Sequence, residues 1–224
     1  MKLVTFQSKA ALEFLKKNGY LVCDERYINK EKVGDTYNWV IDKMKGFKNN
    51  KYKAKYPIWT WVKCYKGICP PKRKGDKVKG FDVKITFEKD DKDVFVTDFR
   101  RYSFLLNNTY IPNNRKDKEE FDKVLAKYNI TEDDLKSYVR HDKYDKHRTD
   151  KEFLEVCRII NKSFDKCIIK DSDILQGCVW YIDLNEIKSI EILKDNGYTY
   201  GTLNYIRSNG KRINWREEYY KRLK

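Results

Sequence analysis

Between Lys43 and Lys79 the chain carries thirteen Lys/Arg residues and a single acid, Asp76, with six aromatic rings among them: Phe47, Tyr52, Tyr56, Trp59, Trp61 and Tyr65. Lysine holds phosphate by charge, and flat rings stack on bases. Cations interleaved with aromatics therefore suit a polyanion whose bases are exposed, such as RNA or single-stranded DNA. The pattern names Lys51, Lys53, Lys55, Tyr56, Lys63, Tyr65, Lys72, Arg73 and Lys74 as contact residues. Thirteen cations less one acid give +12, most of the chain's formal +15. A basic surface that is simply solvated, or one that meets an acidic protein, is the alternative.

Other chemistry has less to build on. The two histidines, His141 and His147, sit in a polar run, and no Gly-x-Ser-x-Gly elbow or glycine-rich phosphate loop occurs. Glu186-Ile187-Lys188 has the Glu-x-Lys spacing of metal-dependent nucleases, with Asp171, Asp173 or Asp183 as a second carboxylate. Such triplets arise readily by chance in a chain with 37% charged residues. Of six cysteines only Cys64 and Cys69 are close, at a spacing that makes half a zinc site at best. Reduced thiols are the expectation, and no metal is assigned.

The elements that must position these residues follow from periodicity. Leu3–Gln7 reads as an opening strand. Ser8 can cap a helix with Ala11, Leu12 and Leu15 on one face and Gly19 at its end. A helix from Asp35 to about Lys45 aligns Trp39, Val40 and Met44. Tyr56–Val62 reads as a strand with Pro57 at its start, where Trp59 and Trp61 share a face that suits a core as well as a ligand. Cys69–Gly75 is an exposed loop. Phe81, Val83, Ile85 and Phe87 alternate as in a half-buried strand, and Val94–Val96 follows an acidic turn.

The middle is helical. Phe99–Asn108 makes one short helix, and Phe121, Val124, Leu125 and Tyr128 stripe a second. Thr131 begins another. Thr149-Asp150-Lys151-Glu152 is a capping box ahead of Phe153, Val156, Cys157 and Ile160. A helix-turn-helix from these last two lacks a basic face. Strands return at Ile174–Leu184 and Ser189–Leu193, and Tyr198–Arg207 can pair with Lys211–Trp215 around Ser208-Asn209-Gly210. Strands at both ends of a helical middle predict a single α+β domain over residues 1–224. Forty per cent hydrophobic residues supply a core, and no apolar run approaches the roughly 20 residues of a bilayer span. With no secretion signal in view, a cytoplasmic protein with no membrane partner is expected.

Four segments carry a resemblance. Thr5-Phe6-Gln7, Tyr56-Pro57-Ile58-Trp59-Thr60-Trp61, Thr97-Asp98-Phe99 followed by Leu106-Asn107, and Gln176-Gly177-Cys178-Val179-Trp180 fall in the order of an uncharacterised bacterial domain-of-unknown-function family. That family opens with Thr-x-Gln, carries Tyr-Pro-Ile-Trp-x-Trp and Ser-Asp-Phe, and closes with Gln-x-x-x-Trp. Thr97 in place of Ser, and the lack of a Trp after Asp98-Phe99, are departures. More distantly, an opening strand, a helix and a glycine, with a late strand running into Leu184-Asn185-Glu186-Ile187, resemble nucleic-acid-modifying ADP-ribosyltransferase toxins. That likeness implies NAD bound in a cleft beside an aromatic ring, with a glutamate holding the ribose as an oxocarbenium-like centre develops. The aligned position falls within Gln176-Gly177-Cys178, none of them acidic. The resemblance implies Gln7, Tyr56 and Gln176 as catalytic candidates and Thr5, Gln7 and Asn107 as cofactor contacts, with Asp98 a further polar anchor. The expectation is a nucleic-acid-binding protein without a cofactor. The alternative is an NAD-dependent transferase on nucleic acid, and its premise is that Gln7, Tyr56 and Gln176 converge.

Overall fold

The computed structural model describes residues 1–24, 38–47, 49–63, 82–135, 150–169, 171–192, 205–208 and 211–214. The fold is α+β. Its principal element is an antiparallel six-stranded sheet of β1 (Lys2–Gln7), β3 (Ile58–Lys63), β4 (Val83–Glu88), β5 (Phe95–Asp98), β6 (Leu175–Val179) and β8 (Ile187–Ile192), in the order β5-β6-β3-β1-β4-β8. A ribbon pairs β2 (Tyr20–Val22) with β7 (Tyr181–Asp183), and a hairpin pairs β9 (Tyr205–Ser208) with β10 (Lys211–Asn214).

The chain divides into two compact units. The first comprises Met1–Ile28, Trp39–Asp98 and Ile169–Gly201; the second comprises Asn29–Asn38, Phe99–Ile168 and Thr202–Lys224. In the first, α1 (Lys9–Asn18) forms as its sequence dictates. The Ser8 hydroxyl accepts from Ala11 N at 3.1 Å, and Gly19 closes the helix at φ +77° with its N–H on Leu15 O at 2.8 Å. An αL residue at this position costs a side chain dearly, so glycine stands there. Leu12 and Leu15 pack against Leu3, Val83, Ile85, Phe87, Ile58, Val96 and Val179, so one face of the sheet is the core. The alternation in β4 is literal: Val83, Ile85 and Phe87 are all fully buried. On the other face Phe95 meets Trp39 of α2 (residues 38–44) at 5.8 Å between ring centroids, and Phe47 at 6.0 Å.

The second unit holds α3 (Phe99–Leu105), α4 (Arg115–Lys127) and α5 (Lys151–Ser163). Phe121, Leu125, Phe153, Val156 and Ile160 face inward. Ser163 Oγ accepts from Ile111 N at 3.0 Å, and Lys166 Nζ donates to Ile111 O at 2.7 Å, tying the segment before α4 to the end of α5.

Three expectations need correction, and one strand was not expected. The strand expected over Ile174–Leu184 is two strands broken at Trp180, because β6 belongs to the main sheet and β7 to the ribbon. β2 carried no strand signal of its own; it forms by pairing with β7. The cap of α5 is Asp150, which accepts from Phe153 N at 2.9 Å. β5 lies at Phe95–Asp98, displaced along the chain from the span read from the valines. Phe81, Cys69–Gly75 and Thr149 lie outside the described residues.

Candidate nucleic-acid interface

Residues 49–54 begin from a loop sequence, Asn-Asn-Lys-Tyr-Lys-Ala, and fold into a tight turn for local reasons. Asn50 clamps it from both sides: its Oδ1 accepts from Ala54 N at 2.8 Å and its Nδ2 donates to Ala54 O at 2.9 Å. Lys53 N closes the turn on Asn50 O at 3.0 Å, with Lys53 itself at φ +52°. Asparagine does this well because its short amide mimics a backbone group. The turn presents Lys51 and Tyr52 at its tip.

Those two side chains dock on β7. Lys51 Nζ donates to Asp183 Oδ2 at 2.6 Å, and the Tyr52 hydroxyl donates to Asp183 Oδ1 at 2.7 Å. Tyr52 stacks on Tyr20, the ladder partner of Asp183, with centroids 3.7 Å apart and planes 9° from parallel. Its edge meets Tyr181 at 5.0 Å, and Phe14 meets Tyr20 at 5.8 Å. The Tyr181 hydroxyl donates to Asn49 Oδ1 at 2.9 Å, and Asn49 Nδ2 donates to Asp93 Oδ2 at 2.8 Å. Under this array lies a buried ion pair. Lys89 Nζ is 3.5 Å from the Tyr181 ring centroid and bonds both oxygens of Glu186, at 2.8 and 2.9 Å. Glu186 Oε2 also accepts from Asp183 N at 2.9 Å, so the buried pair holds the backbone that carries the exposed one.

Beside the turn opens a shallow hollow of about 400 Å³ lined by Gly19, Lys51, Asp183, Leu184 and Asn185. Leu184 N donates to Gly19 O at 2.8 Å, which fixes the end of α1 against the rim. The hydrogen bond to Asp183 raises the Lys51 pKa, and donation to the same carboxylate raises that of Tyr52. Burial, above all, raises that of Tyr181. The ammonium stays charged and the phenols stay protonated at neutral pH.

The turn and the strand after it place the predicted contacts unevenly. Lys51, Lys53, Lys55 and Lys63 are exposed, while Tyr52 and Tyr56 are half-buried between them. Trp59 and Trp61 do share a face, and Trp61 is core at 5% exposure. Tyr65, Lys72, Arg73 and Lys74 lie outside the described residues.

The catalytic candidates do not converge. Val4 pairs with Trp61, and Trp61 with Gln176, so Gln176 shares a face with Val4. Gln7, three residues further along β1, points to the opposite face. Thr5 is buried, donating to Trp59 O at 2.9 Å and accepting from Gln7 Nε2 at 2.9 Å, which accounts for both as strand-bracing groups. Asn107 belongs to the second unit, where its Nδ2 donates to Ser103 O at 2.6 Å at the end of α3. Gln176 Oε1 and its ladder neighbour Thr97 Oγ1 are buried without a hydrogen-bond partner among the described residues. Asp98 is buried at the end of β5. Glu186 and Lys188, read as a nuclease pair, bond instead to Lys89 and to Glu88. No group of three or more His, Cys, Asp or Glu suited to a metal occurs among the described residues. Sequence reasoning missed Lys89 and the partnership of Lys51, Tyr52 and Asp183; a lone lysine ahead of an acidic turn gave no signal.

The fold and this surface define an α+β protein with a lysine-and-tyrosine turn seated on an acidic strand end. The chain belongs to the domain-of-unknown-function family DUF3841, whose model matches residues 2–188. No curated protein and no solved structure matches it. No helix among the described residues is long and apolar enough to cross a membrane.

Proposed function

We propose that the protein binds RNA or single-stranded DNA along the segment from Lys51 to Lys63. One observation carries the reading: through Lys51–Tyr56 exposed lysines alternate with less exposed residues, two of them tyrosines, on a turn held rigid by Asn50. A pre-ordered run of cations loses little entropy on meeting phosphates, and aromatic rings interleaved with cations are what single-strand binders use beside them. The transferase reading lacks a comparable support, since Gln7 and Gln176 stand on opposite faces of the sheet.

The test is the salt dependence of oligonucleotide binding. Each phosphate contact on a single strand contributes about 0.7 to the slope of log affinity against log salt. Replacing Lys53, Lys55 and Lys63 together with glutamine keeps an unbranched polar side chain and removes three charges. The slope is expected to fall by about 2. An unchanged slope places the phosphates elsewhere, and no binding at low salt overturns the reading.

A further inference from the structure

We infer that Asp183, although acidic, is a positioning residue for the bound polyanion: it anchors Lys51 and Tyr52 so that Lys53, Lys55 and Lys63 meet the phosphates. This rests on the nucleic-acid-binding reading above. The cations of the segment are not equivalent. Lys51 Nζ lies 2.6 Å from Asp183 Oδ2, and the Asp183 side chain is only 13% exposed. Lys53 and Lys63 are exposed and form no ion pair among the described residues. The acceptor oxygens of Asp183 are taken up from within the protein. Lys51 donates to one, the Tyr52 hydroxyl donates to the other at 2.7 Å, and the side chain also closes a capping box with Glu186. A Lys51 ammonium that left for a phosphate would exchange one anion for another and strand a mostly buried carboxylate, so it gains little by moving.

Two different restraints act on the turn. The Asn50 amide, bonded to both the N–H and the C=O of Ala54, sets its internal shape. Asp183 sets where that shape sits, because it belongs to β7 and its own N–H is held by Glu186. The stack of Tyr52 on Tyr20 gives the same side chain an apolar seat. Without the anchor the local turn persists, but its orientation over β7 spreads. Binding must then order it again, which costs affinity. Net charge alone argues the other way, since removing an acid from a basic protein draws a polyanion more strongly. The two accounts differ in sign.

The full chain and its variants are titrated with a ten-residue oligouridine by fluorescence anisotropy, over a salt series and well below the unfolding transition of each. Asp183→Asn and Lys51→Gln are each expected to weaken binding about threefold to tenfold. In both, the salt slope stays within about 0.3 of the parent's, because no phosphate contact is lost. Lys51→Arg keeps a cation on Asp183 and is expected to bind within about twofold of the parent. Tyr52→Phe removes one hydrogen bond and no charge; it is expected to weaken binding in the same sense, and it carries the test if Asp183→Asn does not fold. Binding by Asp183→Asn as tight as the parent's, or tighter, overturns the inference. So does a slope lowered by about 0.7 in Lys51→Gln, which makes Lys51 a phosphate contact. A lowered melting temperature with unchanged affinity makes Asp183 merely structural and overturns it too. Each of these results leaves nucleic-acid binding intact, whereas no binding by the parent chain at low salt overturns the functional reading and the inference together.

Discussion

Glu186 makes three hydrogen bonds with two oxygens, two from Lys89 and one from Asp183 N, and this small group decides how much of the surface is pre-built. The Lys89 side chain is 1% exposed and Glu186 is 22% exposed, so this carboxylate is the ionic partner of a buried ammonium. Removing one member strands the other. Glu186→Ala is expected to cost about 3–5 kcal/mol in chemical denaturation, whereas Lys89→Met with Glu186→Leu costs much less, because no charge is left buried. If the double variant is as unstable as the single one, packing and not charge sets the cost. Elsewhere burial governs the thiols. Desolvation, with Asp24 adding to it, lifts the Cys23 pKa to about 11, and the buried Cys178 lies well above the usual range. Both are poor nucleophiles at neutral pH.

At the level of elements, β6 meets β3 closely at Gly177. An added Cβ at Gly177 would stand 2.7 Å from Thr60 Oγ1 and 3.0 Å from both Val62 Cγ2 and Val94 Cγ1. Thr60 Oγ1 also donates to Gly177 O at 3.1 Å, which ties the strands at that point. Gly177→Ala is therefore expected to lower stability by about 1–3 kcal/mol in urea denaturation, and a neutral result would show that the valines give way. The same joint explains why Gly177 sits mid-strand, where glycine is otherwise unfavourable. A few residues on, Trp180 turns the chain out of the sheet and into β7, which delivers Asp183 to the turn.

Across the whole molecule the formal charge of +15 sets a field that attracts polyanions at any neutral pH. The site itself is insensitive over that range. Lys51 has a raised pKa, so the stability its pair supplies is complete below the ordinary lysine range. That contribution is lost only as pH climbs through the raised value. Tyr52 is likewise shifted upward and keeps its proton. Oligonucleotide affinity at constant ionic strength is accordingly expected to change less than about twofold between pH 6 and 8.5, measured by fluorescence anisotropy. A midpoint near pH 6.5 would point to His141 or His147 as a contact. How much of this was legible beforehand depends on the range of the interaction. The cap at Ser8, the stop at Gly19, the alternation through β4 and the stripe on α5 act within a few residues and were readable. The hairpin pairing of Lys211 with Ser208 was readable for the same reason, with Asn209 and Gly210 between the paired ends.

The sequence alone determined the α+β character, the concentration of positive charge between Lys43 and Lys79 and the absence of a long apolar helix among the described residues, since these rest on composition and local periodicity. Only the tertiary structure decided that Lys51 would meet a carboxylate 132 residues away, that Lys89 would be buried, and that Gln7 and Gln176 would part to opposite faces. Strand register makes that choice: a shift of one residue turns every side chain over, and pairing across such distances is set by how the whole sheet buries its apolar face.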